Sequence, residues 1–215
     1  MREETKARED IARWAKSMFD RGLTGGSSGN ISVRLSNGTL LVSPTGSSMG
    51  FLDPAKISLL DGNGIHMSGD APTKEMPLHQ AFYDTRANTG AVVHLHSTYS
   101  TALSVLPDID PDNALLPITA YGVMKLGKVK LLPFFMPGDP EMGEAIKKLS
   151  GKHSAVLLAN HGPVVAGKNL EAAIYAMEEL EETAKLVVIC NGMSPKLLSN
   201  AQISSLVKKF NIGWD

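Results

Sequence analysis

A chain of 215 residues, 43% of them hydrophobic, can bury one substantial core, and a single domain over residues 1–215 is expected. A formal net charge of -1 leaves no basic stripe for nucleic acid or anionic membranes, and no apolar run reaches the roughly 20 residues of a membrane span. The lone Cys190 permits no internal disulfide, and the charged stretch from Arg2 to Asp10 argues against a signal peptide, so a cytoplasmic location is expected.

Ile11, Trp14, Ala15, Met18 and Phe19 follow helical spacing, with Gly22 as the stop. Ile31 to Leu35 and Thr39 to Val42 flank Asn37-Gly38, a strong hairpin signal, and a second strand pair is expected across Asp61-Gly62-Asn63-Gly64. Pro77 to Arg86 reads as a helix with Leu78, Ala81 and Phe82 inward. A strand through AVVHLH follows, then a helix from Ser97 to Leu106 and a short strand from Val129 to Leu132. Asp139-Pro140 is a helix start, and Ser154 to Ala159 an apolar strand ending at a turn through His161-Gly162. Asn169 to Cys190 is the longest helix, and Ser199 with Gln202 has capping-box spacing for a last one. Hairpins followed by alternating helices and strands predict a three-layer α/β/α domain with a mixed, largely antiparallel central sheet. No GxGxxG opens a helix after a strand, so a dinucleotide fold has no support.

Four residues stand out as metal-ligand candidates: Glu75, His94, His96 and His161. If AVVHLH is one strand, His94 and His96 point to the same face with β-carbons roughly 7 Å apart, and two inward imidazoles can share one cation. His161 closes a different strand and can bring a third. Three histidines with an optional carboxylate suit a catalytic divalent site of zinc type; a buried, hydrogen-bonded histidine cluster is the bland alternative. Glu75 is either a surface charge favoured at a helix start or a carboxylate that ligates a cation and moves a proton. His66, His79 and His153 have no evident partners and read as structural, and the run Glu178, Glu179, Glu181, Glu182 as the solvated face of the long helix.

Three polar loops carry the remaining chemistry. Gly25 to Asn30 precedes a strand and lacks the lysine of a P-loop, but its backbone N–H groups can form an anion nest. Ser43 to Ser48 is similarly equipped, and Pro72-Thr73-Lys74-Glu75 adds a hydroxyl, a cation and a carboxylate. Together they suit a small phosphorylated ligand, or else are three surface turns.

The motifs SGNIS, SPTG, PTKEMPLH, AVVHLHSTYSTAL, ANHGPVVAG and EAAIYAMEELEETAKL, in this order, resemble the class II aldolase/adducin family from Gly22 to about Phe210. The resemblance implies that His94, His96 and His161 hold Zn²⁺, one per subunit, with Glu75 as fourth ligand and acid/base; Mn²⁺ or Co²⁺ could use the same ligands. It implies substrate phosphate at Gly29, Asn30, Thr45, Gly46, Thr73 and Lys74, a tyrosine near the reacting carbon at Tyr121, and a cyclic homotetramer with sites between subunits. Aldolases usually read Ser-Ser-Glu where this chain has Thr73-Lys74-Glu75, and their C-terminal tyrosine has no clear match in the tail from Phe210 to Asp215. The first departure points away from simple fuculose-phosphate specificity.

Within the family, TAYGVMKLGKVKLLPFFMPGDPEMGEAI, LLANHGPVVAGK and YAMEELEETAKL look most like the members that decarboxylate 3-oxo-tetronate 4-phosphates. The resemblance thus implies a lyase that converts a four-carbon phosphorylated keto sugar acid to dihydroxyacetone phosphate and CO2 through a metal-stabilised enediolate. The alternatives are an L-fuculose-1-phosphate type aldolase, a sugar-phosphate 4-epimerase, and a non-catalytic interaction domain like the adducin heads. A pure scaffold has no need of three histidines and a glutamate.

Overall fold

The computed structural model describes residues 3–214; Arg2, where the charged N-terminal stretch begins, and Asp215, where the tail ends, lie outside the described residues. Helix α1 (Glu3–Asp20) buries Ile11, Ala15 and Met18, the stripe expected from helical spacing. Strands β1 (Asn30–Arg34) and β2 (Leu40–Val42) pair antiparallel around the Asn37-Gly38 turn, and β3 (Ser58–Leu60) pairs with β4 (His66–Ser68). Helix α2 (Met76–Thr85) leads to β5 (Ala91–His94), followed by the short helices α3 (Thr98–Ser104) and α4 (Ala120–Leu126). Then come β6 (Lys130–Leu132), α5 (Pro140–Lys147), β7 (Ala155–Leu158) and β8 (Gly162–Gly167), and finally α6 (Leu170–Ile189) and α7 (Asn200–Phe210).

The strands form one eight-stranded sheet in the order β4-β3-β2-β1-β5-β8-β7-β6. Every neighbouring pair is antiparallel except β6 with β7, so the expected mixed, largely antiparallel sheet is present. Side-chain alternation divides the core between the two faces. Ile31, Leu41, Val93, Leu157 and Val165 pack with α1, α3 and α6. Leu40, Leu60, Val92, Val156 and Val164 pack with α2 and α5. That is the three-layer arrangement.

Four readings need correction. The AVVHLH strand ends at His94, so Leu95 and His96 already belong to the turn into α3. The segment after His161 is not only a turn: Gly162 to Gly167 is a central strand between β5 and β7. Its glycines and Pro163 hide the strand pattern, and burial on both faces removes any alternation. Helix α4 is an element absent from the sequence expectation; Thr119 caps it by accepting from the Gly122 N–H, and it packs on α6 and α7. Finally, Glu181 is not solvated. It is buried on α6 and accepts from the Tyr99 N–H at 2.7 Å, and from the Ser100 N–H and hydroxyl at 2.9 and 2.6 Å.

Candidate functional site

The chemistry-bearing residues gather where β1 and β5 end beside the start of α2. In the antiparallel register Asn30 is paired with His94, which places both side chains on the α2 face of the sheet. Glu75 stands at the N-cap of α2, and Pro77 near its first turn favours a helix start there. His161 follows β7 and is brought against the turn after β5 by Gly162. A Cβ on Gly162 would lie 2.3 Å from the Leu95 carbonyl oxygen, and its φ of +155° is one that side chains rarely adopt. Gly29 allows the other approach: its φ is +83°, and a Cβ there would meet the His94 carbonyl oxygen at 3.0 Å.

The four candidate ligands converge. His94 Nε2 lies 3.1 Å from His96 Nε2 and 3.4 Å from Glu75 Oε2, and His161 Nε2 lies 3.2 Å from Glu75 Oε1. One potential ligand atom from each residue falls within 4.8 Å of all the others. Bonds of about 2.0–2.1 Å to a tetrahedral centre require ligand atoms roughly 3.3–3.4 Å apart, close to the 3.1, 3.2 and 3.4 Å of these three pairs.

Two further observations fit a cation. Glu75 Oε1 and His161 Nε2 are both buried and neither has a hydrogen-bond partner, an arrangement costly for two polar atoms unless something between them satisfies both. The His94 Nδ1–H donates to the Pro163 carbonyl at 2.9 Å, which leaves Nε2 as a bare lone pair aimed into the cluster.

The electrostatics agree. Burial pushes the His94 imidazole down to about 3 and, with His161 beside it, lowers His96 as well, so both favour the neutral, ligating form. Burial alone would raise Glu75; the imidazoles of His161 and His94 and the Asn30 amide outweigh it and hold the carboxyl well below the usual range. The bland alternative, a hydrogen-bonded histidine cluster, would pair these two atoms through a His161 N–H across their 3.2 Å separation, and no such bond is formed.

A cavity of about 200 Å³ opens over this cluster, lined by Ser27 to Asn30, Pro44 to Gly46, Thr73 to Glu75, His96, Pro137 and His161. All three polar loops therefore meet at one place. The volume is below the roughly 300–1,000 Å³ of drug-sized sites and suits a small ligand. Lys74 is exposed at the rim, with no ion pair among the described residues. Asn30 and Thr73 turn inward: the Asn30 amide donates to Glu75 Oε2 at 2.7 Å and to Thr73 Oγ1 at 3.3 Å. Tyr121 lies apart on α4, 62% exposed and outside the cavity lining.

His79, read from sequence as partnerless, is fully buried, and its Nε2 lies 2.5 Å from Asn30 Oδ1. Its position four residues after Glu75, one helical turn on, was the available signal. His66 and His153 also have partners, the Ser68 and Lys128 carbonyls, but neither lines this cavity.

Comparison with known proteins gives a consistent picture. The Class II Aldolase and Adducin N-terminal domain family matches residues 9–188. The 3-oxo-tetronate 4-phosphate decarboxylase of Pectobacterium atrosepticum is 47% identical over 203 residues, covering 94% of this chain and 93% of the relative. The L-fuculose phosphate aldolase of Escherichia coli is 31% identical over 212 residues, covering 97% of this chain and 95% of the relative. Among solved structures, YgbL from Escherichia coli superposes with a TM-score of 0.93 at 44% identity, covering 95% of this chain and 99% of that one.

Proposed function

The chain belongs to the class II aldolase and adducin family, and from that premise we propose that it is a metal-dependent lyase that decarboxylates a 3-oxo-tetronate 4-phosphate to dihydroxyacetone phosphate and CO2. The observation that carries this reading is the 47% identity, over nearly the full length of both chains, to a relative of that activity, against 31% and 35% to L-fuculose phosphate aldolases. The undiminished set of three histidines and a glutamate supports an enzyme over a scaffold.

His94, His96, His161 and Glu75 would hold the ion. Nitrogen ligands with one carboxylate suit Zn²⁺, and Mn²⁺ or Co²⁺ can use the same atoms. Bound there, a divalent ion supplies Lewis acidity that draws electron density toward a substrate carbonyl oxygen.

In the proposed reaction the C1–C2 bond breaks, C1 leaves as CO2, and the electron pair left at C2 delocalises into the C3 carbonyl before C2 takes a proton. Glu75 is the proton carrier. Held ionised, it begins as an acceptor, so the proton it returns to C2 is one it has first taken from solvent or substrate. Gly29, Thr45, Gly46 and Lys74 bind the phosphate with backbone N–H groups, a hydroxyl and a charge, while Asn30 and Thr73 shape that wall from behind. The exposed Tyr121 is assigned to a neighbouring subunit's cavity in a homotetramer, a reading supported by its exposure and its absence from the cavity lining of the single chain.

Metal-loaded protein incubated with 3-oxo-tetronate 4-phosphate should release CO2 and dihydroxyacetone phosphate, identified by mass spectrometry, and should give little lactaldehyde from L-fuculose 1-phosphate. Efficient aldehyde release without CO2 from any keto acid would establish the aldolase instead.

A further inference from the structure

Behind the cleft a file of buried polar groups runs from the sheet to Glu75. Tyr83 Oη lies 2.8 Å from Ser32 Oγ, Ser32 Oγ lies 2.8 Å from His79 Nδ1, and His79 Nε2 lies 2.5 Å from Asn30 Oδ1. Asn30 Nδ2 then reaches Glu75 Oε2 at 2.7 Å. Asn30 and Ser32 are two apart on β1, and His79 and Tyr83 are four apart on α2, so each pair shares a face and the two faces meet.

Donor and acceptor chemistry gives this file one direction. An ionised carboxylate only accepts, so the Asn30 nitrogen faces Glu75 and its oxygen faces His79. His79 Nε2 must then carry the proton. Burial lowers His79 to about 4, so the ring is neutral and Nδ1 is bare. The Ser32 hydroxyl donates to Nδ1 and in turn accepts from Tyr83.

The Asn30 amide could in principle rotate and exchange its oxygen for its nitrogen. Thr73 Oγ1, its other neighbour, donates or accepts equally well and does not discriminate between the two orientations. Besides Glu75 itself, His79 is the one neighbour among the described residues that reads which end of the amide is which, and it does so from the side away from the cluster.

We infer that His79 is a positioning residue for Glu75: by holding the Asn30 amide with its nitrogen toward the carboxylate, it fixes Glu75 with Oε1 turned to the imidazole cluster. The inference rests on the proposed role of Glu75, but its geometry can be tested without turnover.

In ¹⁵N-labelled, zinc-loaded wild type, the ring nitrogens of His79 should report the neutral Nε2–H tautomer; the Nδ1–H tautomer or a charged ring overturns the inference. In zinc competition with a chelator, His79→Phe should weaken binding no more than Glu75→Gln does, and the double variant should bind as Glu75→Gln alone. Fully additive losses overturn it, as does unchanged zinc affinity in His79→Phe where Glu75→Gln weakens binding. His79→Gln, which can offer an N–H to Asn30, should recover most of the affinity, and it stands in if the phenylalanine variant does not fold. On a turned-over substrate, His79→Phe should lose roughly 10–100-fold in kcat with little change in KM. If the wild type turns over no such substrate, the proposed function fails while the tautomer and zinc measurements still decide the positioning role.

Discussion

Replacing His94 or His96 with alanine removes one neutral imidazole nitrogen from a cluster whose ligand atoms lie within 4.8 Å of one another, leaving two imidazoles and a carboxylate, a weaker donor set for zinc than the three imidazoles that Glu75→Gln retains. Either variant should purify with far less than one metal per chain by elemental analysis, while circular dichroism stays close to wild type. Glu75→Gln should keep metal through the three imidazoles yet lose ~10²–10⁴-fold in turnover, the range typical of a proton carrier; full activity would remove Glu75 from the mechanism. Lys74→Ala should raise KM strongly and kcat little, because the rim loses a charge-assisted contact to a phosphate dianion. At this scale the ligand set was legible, since histidines on apolar segments are conspicuous. The inward use of Asn30 was not: its partners Thr73, Glu75 and His79 lie 43, 45 and 49 positions along the chain.

The elements that carry the site are held by contacts of two kinds, and only one kind can be read locally. The capping box of Ser199 with Gln202 and the Asp139 cap on the Glu141 N–H involve residues two or three apart, and both follow from spacing. Helix α3, which begins directly after His96, is capped differently. Ser97 occupies its N-cap without a side-chain cap bond, and Glu181 reaches over from α6 to accept the Tyr99 and Ser100 N–H groups. A partner 81 or 82 positions away leaves no local signature, so the glutamate run reads as surface until the helices are packed. Glu181→Ala would orphan both N–H groups and the Ser100 hydroxyl, and a loss of about 3 kcal/mol in urea unfolding is expected. Gly162→Ala tests the other support: its methyl would press on the Leu95 carbonyl, so His161 should shift and metal affinity fall even though no ligand is altered.

Across the whole molecule, hairpin signals and helix caps sufficed for the layered architecture, whereas strand β8 and the sheet order did not follow from pattern. The order brings β1, β5 and β8 side by side, and this is what lets Asn30, His94 and His161 meet from distant parts of the chain. No described helix is long and apolar enough to cross a membrane. The exposed Tyr121, Phe134 and Met136 support the proposed tetramer, which light scattering of the purified protein tests; a monomer would leave Tyr121 without a site.

Burying His79 in a neutral form also makes the global fold sensitive to acid. Its folded value is lowered from 6.5 to about 4, so between those limits the unfolded chain binds the extra proton. Stability therefore rises with pH across this window; it is fully present above about 6.5 and is lost as pH falls toward 4, by roughly 3 kcal/mol from this one group. His79→Gln keeps an amide in the relay but has nothing to titrate. Its urea midpoint should fall less than that of the wild type between pH 7 and pH 4.5, measured in the same buffers so that every other group cancels. Parallel curves for the two proteins would mean that His79 does not govern the acid response.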